Sequence, residues 1–199
     1  EMRCLLADAL AATGNRAEAM EQAQSAVRDG SEDAQARLTL ANILAGHERI
    51  GEAVEQARRA VELAPGFGPA YQQLASLLVT QRSWDEVIRV AREGLGLAAF
   101  NAELHFALGS ALAERGQTNE AVGQLQLACN LSPQWPAPRP LLGRLLIRQG
   151  KLNEAAALYA SAAGVDAGNA ELQLELATAL AAQGRDEEAI GQYQAVVMA

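Results

Sequence analysis

A chain of 199 residues carries 24 acidic side chains against 16 basic ones, for a formal net charge of −8 and no basic run. Neutralising nucleic-acid phosphates needs clustered Lys and Arg, so the composition argues against a nucleic-acid partner. No apolar stretch approaches the ~20 residues of a membrane span, which argues against membrane contact by this segment.

Half the residues are hydrophobic and only 4% are aromatic, so the core is expected to be mainly Ala and Leu in closely packed helices. The chain divides into six units at a step of 34. The first, 1–33, predicts helices near 2–13 and 17–29 around a turn at Thr13-Gly14-Asn15. Asn15 and Glu18 have the spacing of an N-cap followed by an acid in the first turn. The second, 34–67, turns at Gly46-His47-Glu48 and ends at Pro65-Gly66. The third, 68–101, opens its second helix with Ser83-Trp84-Asp85-Glu86, a capping-box spacing. In that unit Arg82 stands where a turn glycine is expected, and Gly94 with Gly96 is expected to loosen the helix end.

The fourth unit, 102–135, is the most regular, with a turn at Arg115-Gly116-Gln117 and closure at Ser132-Pro133. The fifth, 136–169, begins with Pro136, Pro138 and Pro140, so its first helix should start late. The sixth, 170–199, stops short of a full unit, and the first begins inside its own pattern. We therefore expect a fragment of a larger protein. Its last helix, 187–198, presents Ile190, Tyr193, Val196 and Val197 as an apolar surface open to end-to-end association.

The repeat rests on unbroken columns. Leu6, Leu40, Leu74, Leu108, Leu142 and Leu176 form one; Leu10, Leu44, Leu78, Leu112, Leu146 and Leu180 form another. Ala7, Ala41, Ala75, Gly109, Gly143 and Ala177 keep a third small, which lets the second helix approach closely. Glu18, Glu52, Glu86, Glu120, Glu154 and Glu188 make an acidic column in the first turn of each second helix, where a negative charge opposes the helix dipole.

These residues resemble the tetratricopeptide repeats, units of 34 residues folded as helix-turn-helix. Leu108-Gly109…Leu112…Ala121…Leu125…Pro133 carries the match best, followed by Leu142-Gly143…Leu146…Ala155…Tyr159. The family's Trp place is filled by Tyr71 and otherwise by Arg3, Arg37, His105, Arg139 and Gln173. The resemblance covers 1–199 as a single array. It implies an all-α fold, a right-handed superhelical solenoid of antiparallel helix pairs whose concave wall is lined by the first helices.

Catalytic signatures are absent: there is no P-loop, dinucleotide fingerprint, HExxH, CxxC or nucleophile elbow. The acidic column places carboxylates about one helix diameter apart, ~10 Å, too far to act in pairs. His47 and His105 lack ligand-spaced partners. Neither catalytic residue, cofactor nor metal is expected, and the chain is not read as an enzyme. Cys4 and Cys129 lie almost four repeats apart, too far for an intrachain bridge, and leave the compartment undecided.

The expected function is an interaction scaffold holding a peptide or partner protein in the concave groove. The residues assigned to that groove are Leu38, Asn42, Phe106, Ser110, Arg144, Ile147 and Arg148. Phe106 either anchors a partner or packs against the next repeat. Arg144 and Arg148 either meet a ligand carboxylate or are neutralised by Glu114 and Glu175. The lysines by which chaperone-binding members grip a C-terminal carboxylate are missing. The alternative is an assembly or spacer segment of a larger enzyme or membrane-tethered complex, acting by self-association or docking on a neighbouring domain.

Overall fold

The computed structural model describes residues 2–30, 32–165 and 170–198. The junction expected between the fifth and sixth units, at 166–169, lies outside the described residues, as do Glu1, Ser31 and Ala199. Among the described residues there are twelve helices and no strand. In chain order they are α1 (Met2–Ala12), α2 (Arg16–Asp29), α3 (Ala34–Gly46), α4 (Ile50–Leu63), α5 (Gly68–Thr80) and α6 (Trp84–Leu97). There follow α7 (Ala102–Glu114), α8 (Thr118–Leu131), α9 (Pro138–Arg148), α10 (Leu152–Val165), α11 (Ala170–Ala181) and α12 (Asp186–Met198). The fold is an all-α solenoid of helix pairs.

The chain forms two compact units, Glu1–Ala111 and Leu112–Ala199. Within the first, each helix from α1 to α6 packs on the next, and first helices also touch directly, α1 on α3 and α3 on α5. Within the second, α8 to α12 follow the same order, with α9 on α11. The Leu columns supply the core: Leu44, Leu78, Leu146 and Leu180 are buried, as are Leu74, Leu142 and Leu176. Each such side chain contributes ~1.5–3 kcal/mol on burial. The exceptions are on α1, where Leu6 is half exposed and Leu10 only partly buried. The small column between them is buried throughout.

Every helix pair closes by the same turn. Gly14, Glu48, Arg82, Gly116, Gly150 and Gly184, each 34 apart, all take positive φ, between 57° at Arg82 and 83° at Gly14. The following amide reaches back to the second Leu column: Asn15 N to Leu10 O at 2.9 Å, Ser83 N to Leu78 O at 3.0 Å, Gln117 N to Leu112 O at 2.8 Å. The left-handed residue itself donates to the carbonyl three back, as Gly116 N does to Ala113 O at 3.0 Å. These paired bonds are the Schellman arrangement, which satisfies carbonyls that a helix end leaves open. In the second unit the turn therefore centres on Glu48; Gly46, expected there, is the last residue of α3.

The same geometry corrects two expected caps. Asn15 and Ser83 occupy the N-cap positions of α2 and α6 without a side-chain cap bond, at ψ 69° and 62°. Their backbone is fixed by the preceding turn, which orients the side chain away from the first-turn amides. Asn15 instead donates to the Glu18 carboxylate at 2.6 Å. True caps stand at the junctions between units. Asp33 accepts from Gln35 N and Ala36 N, at 2.9 and 3.3 Å, and Asn101 accepts from Leu104 N at 2.9 Å.

Gly94 does not loosen its helix. α6 runs on to Leu97, and a Cβ at Gly94 would lie 2.8 Å from both Leu104 Cδ1 and Tyr71 Cβ. The glycine admits a close contact between α6, α5 and α7. The prolines of the fifth unit act as expected: α9 begins only at Pro138, with that ring buried in its first turn.

A residue other than glycine in the left-handed region costs about 1–2 kcal/mol, of which glycine's larger unfolded-state entropy gives back ~0.5–1. We therefore expect Arg82→Gly to raise stability by about 0.5–1 kcal/mol in urea unfolding. Gly116→Ala, with nothing within 4 Å of the added Cβ, should lower it by a similar amount through backbone strain alone. Equal stabilities for parent and Arg82→Gly would remove the turn from this account.

Candidate binding surface on the first helices

The column Asp8, Asn42, Ser76, Ser110, Arg144 and Thr178 occupies one register position on the six first helices. Five of the six are exposed; Ser110 is buried, its Oγ without a hydrogen-bond partner. Around this column the structure separates the expected groove residues. Asn42, Arg144 and Arg148 are exposed, and Ile147 and Phe106 are half-buried. Leu38 is a correction: it is 6% exposed and packs with Ala60 and Ala70 in the core, flanked by Val61 and Phe67. Cys4, on the same register in α1, is likewise buried against Ala26 and Ala36. This register faces the neighbouring second helix wherever small residues bring that helix close.

On α9, Arg144 Nη1 lies 3.4 Å from Glu175 Oε1 on α11, as the sequence allowed. Glu175 is further engaged, since the Tyr159 hydroxyl lies 3.2 Å from its Oε2 and equally 3.2 Å from Pro140 O. One hydroxyl proton serves one of these acceptors at a time. Arg148 ends the same helix, where its charge opposes the negative end of the dipole. The Arg144 pair is half exposed on the arginine side, and pairs of that kind contribute ~0–1 kcal/mol. It is therefore exchangeable for a ligand carboxylate.

Tyr159 was read as part of the repeat pattern, but its pairing with Gly143 was not, although the columns contain the signal. The small column and the column of Ala23, Ala57, Ala91, Leu125, Tyr159 and Tyr193 change size in opposite directions. Alanine stands opposite alanine in the first three units, Gly109 opposite Leu125, and Gly143 opposite Tyr159. A Cβ built at Gly143 would overlap the Tyr159 hydroxyl and ring. In the sixth unit Ala177 stands opposite Tyr193, which is 37% exposed where its counterparts Ala57, Ala91, Leu125 and Tyr159 are fully buried.

The acidic column is structural. Arg49 grips Glu52 with two bonds of 2.7 and 2.6 Å, and Arg185 grips Glu188 at 2.8 and 2.7 Å, both at a spacing of three. Hydrogen bonding to the arginine holds each carboxyl below its ordinary value. Glu86 joins Arg58 from the preceding second helix at 2.8 Å and Arg89 at 3.3 Å. His47 caps α3 with Nε2 3.3 Å from Arg16 O, and the buried His105 ring lies 2.9 Å from Ala99 O. Among the described residues no three His, Cys, Asp or Glu side chains converge on a metal-sized site, and no helix is long and apolar enough to cross a membrane. Both cysteines are free thiols. Burial pushes the Cys129 thiol up, partly offset by the charge of Arg139.

Two predictions follow from these contacts. Gly143→Ala should displace the Tyr159 ring and cost about 1–3 kcal/mol as an overpacked core position. Gly123→Ala on α8, with open space around the new Cβ, should instead gain up to ~1 kcal/mol; equal effects of the two would contradict the close-approach reading. Burial also lifts the Asp8 carboxyl above its ordinary value, so the folded state carries a penalty for ionising it. That penalty is present above the folded pKa and vanishes as pH falls below the ordinary carboxylate range. Asp8→Asn should thus stabilise the protein at neutral pH, with the gain shrinking on acidification; a pH-independent difference in urea midpoints would contradict it.

Comparison with known proteins agrees with this architecture. A family described as tetratricopeptide repeat matches residues 4–66, 73–136 and 141–199. Among solved structures, the chain is similar to PilF of Pseudomonas aeruginosa at TM-score 0.84 and 16% identity, covering 96% of this chain and 87% of that one. It is similar to PilW, described as a widely conserved type IV pilus biogenesis factor, at TM-score 0.83 and 18% identity, with 96% and 89% covered. It is also similar to YrrB, described as a TPR protein with an unusual peptide-binding site, at TM-score 0.74 and 23% identity, with 88% and 90% covered. At these identities the likeness is one of fold. No curated protein is significantly similar to the chain in sequence. The family match spans nearly all of the chain, and the chain belongs to the tetratricopeptide repeat family.

Proposed function

We propose that this protein is an interaction scaffold that binds a peptide or partner protein along the exposed face of its first helices. One observation carries the reading. The Leu, Ala and turn positions hardly change from unit to unit, while Asp8, Asn42, Ser76, Arg144 and Thr178 are exposed at one register position and all but identical in nothing except place. The buried positions that build the scaffold are nearly constant, and this exposed register of the first helices varies in charge and polarity, as a recognition surface does. The family's general role in protein–protein interaction supports the same reading.

On α9 the surface offers Ile147 for an apolar side chain and Arg144 with Arg148 for a neighbouring carboxylate, through charge-assisted hydrogen bonds. Arg144 would exchange Glu175 for the ligand. In the first compact unit, Asn42 on α3 and Phe106 on α7 are the corresponding candidates, with Leu38 and Ser110 buried beneath them. A second reading, self-association, is favoured by the apolar side chains left open on two helices. Met2 and Leu5 on α1 are 80% and 62% exposed, and Ile190 and Val197 on α12 are 54% and 87% exposed.

The test takes a peptide selected against the protein from a displayed library and measures its affinity by titration calorimetry. Ile147→Ala, and Arg144→Ala combined with Arg148→Ala, should each weaken it by about 30-fold, the loss typical of a hot spot. Unchanged affinity in these variants, with binding abolished by Gln126→Ala and Leu127→Ala on the second helix α8, would move the function to the other face.

A further inference from the structure

We propose that the cavity between α1, α2 and α3 is a subsite for a basic side chain of a bound peptide, held by the Asp8 carboxylate and the Asn42 amide, with an acidic neighbour in that peptide facing Arg16. The cavity has a volume of about 270 Å3 and lies wholly within the first compact unit. Its polar wall is Asp8, Arg16, Asn42 and His47, and its floor includes Ala19 and Ile43. It rests on the reading of the first-helix face as a peptide surface.

Three observations support it. First, the side chains of Asp8, Arg16 and Asn42 make no hydrogen bond or ion pair with any described residue. Several charges elsewhere on the unit are paired, as in Arg3 with Asp29 and Arg58 with Glu86. One carboxylate, one guanidinium and one amide thus surround the same cavity with their hydrogen-bonding capacity unspent. Second, the wall is held in place, because His47 Nε2 lies 3.3 Å from Arg16 O and ties the end of α3 to the start of α2. Third, Asp8 and Asn42 hold the same register position on directly packed helices, so a head group entering between them meets both acceptors.

The chemistry then selects the ligand. Asp8 is a partly desolvated anion without a counter-ion, and a Lys or Arg head group supplies one through a charge-assisted hydrogen bond. The aliphatic stem of such a side chain lies favourably along Ala19 and Ile43, as long basic side chains do on apolar surfaces. Arg16 would repel an isolated cation, which is why the complement is a pair of charges, basic for Asp8 and acidic for Arg16. In the next unit the same register holds Ser76, which has no charge, so the subsite belongs to α1 and α3.

The test is a nitrogen-15 chemical-shift titration of the protein with the blocked dipeptide N-acetyl-Lys-Glu-amide. Saturable shifts in the millimolar range are expected at amides of α1, the start of α2 and the end of α3. Replacing Lys by uncharged norleucine, or Asp8→Asn in the protein, should weaken binding by about tenfold, and replacing Glu by Gln by less. Asp8→Asn keeps the size of the side chain, so its folding is checked from the same spectra. Equal binding of the norleucine peptide, equal binding by Asp8→Asn, or no saturable response in the folded protein would each overturn the proposal. The probe and the helices differ from those of the α9 test. Failure here with success there removes only this subsite.

Discussion

The architecture depends on one hydrogen bond repeated at every unit, from the amide after a left-handed residue back to the carbonyl of the second Leu column. It closes the first helix and sets the backbone from which the second begins. The carbonyl belongs to the Leu column that also fills the core, so chain reversal and packing are fixed by the same residues. Glycine meets the left-handed requirement at four of the six turns, and Glu48 and Arg82 meet it against their steric preference. That these two turns keep the same geometry shows how strongly the flanking helices impose it. Local strain of this size is small beside the burial of several leucines per unit.

Once that turn is fixed, the remaining freedom lies in side-chain volume and exposed chemistry. Volume is traded inside the core. Where the second helix α10 carries Tyr159, the first helix α9 gives up its Cβ at Gly143. Charge is managed on the second helices by local pairs such as Arg49 with Glu52 and Arg185 with Glu188, which complement the helix dipole. The first helices differ. Asp8, Asn42 and Arg148 stand in solvent with no such pairing, and Arg144 is held only by a half-exposed contact to Glu175. Unspent hydrogen-bonding capacity on a rigid helix face is what a binding surface needs, because little ordering cost remains to be met on association.

Most of the fold was legible in the sequence, because columns at a fixed step report burial directly. The helix pairs, the late start of α9 at Pro138 and the buried Leu and Ala positions could all be read from residue type and spacing. The failures have a common cause. Asn15 and Ser83 have cap-forming side chains at cap positions, but the preceding turn dictates their backbone, and that turn is a property of two helices together. Gly94 looked like a helix breaker because propensity is local, whereas its role is set by Tyr71 and Leu104 on other helices. Leu38 was assigned to the groove from its helical phase alone. Its burial depends on how closely Ala60 and Ala70 bring the neighbouring helices. Candidate site residues were least legible where burial is shared between elements, as at Phe106 and Ser110.

The central claim is that the varied register of the first helices, and not the charged surface of the second helices, is where partners bind. Hydrogen–deuterium exchange with a library-selected peptide, compared bound and free, tests it most directly. The account predicts new protection confined to first helices such as α3 and α9, with α4, α6 and α10 unchanged. Protection on those second helices, with the first helices unaffected, would contradict it.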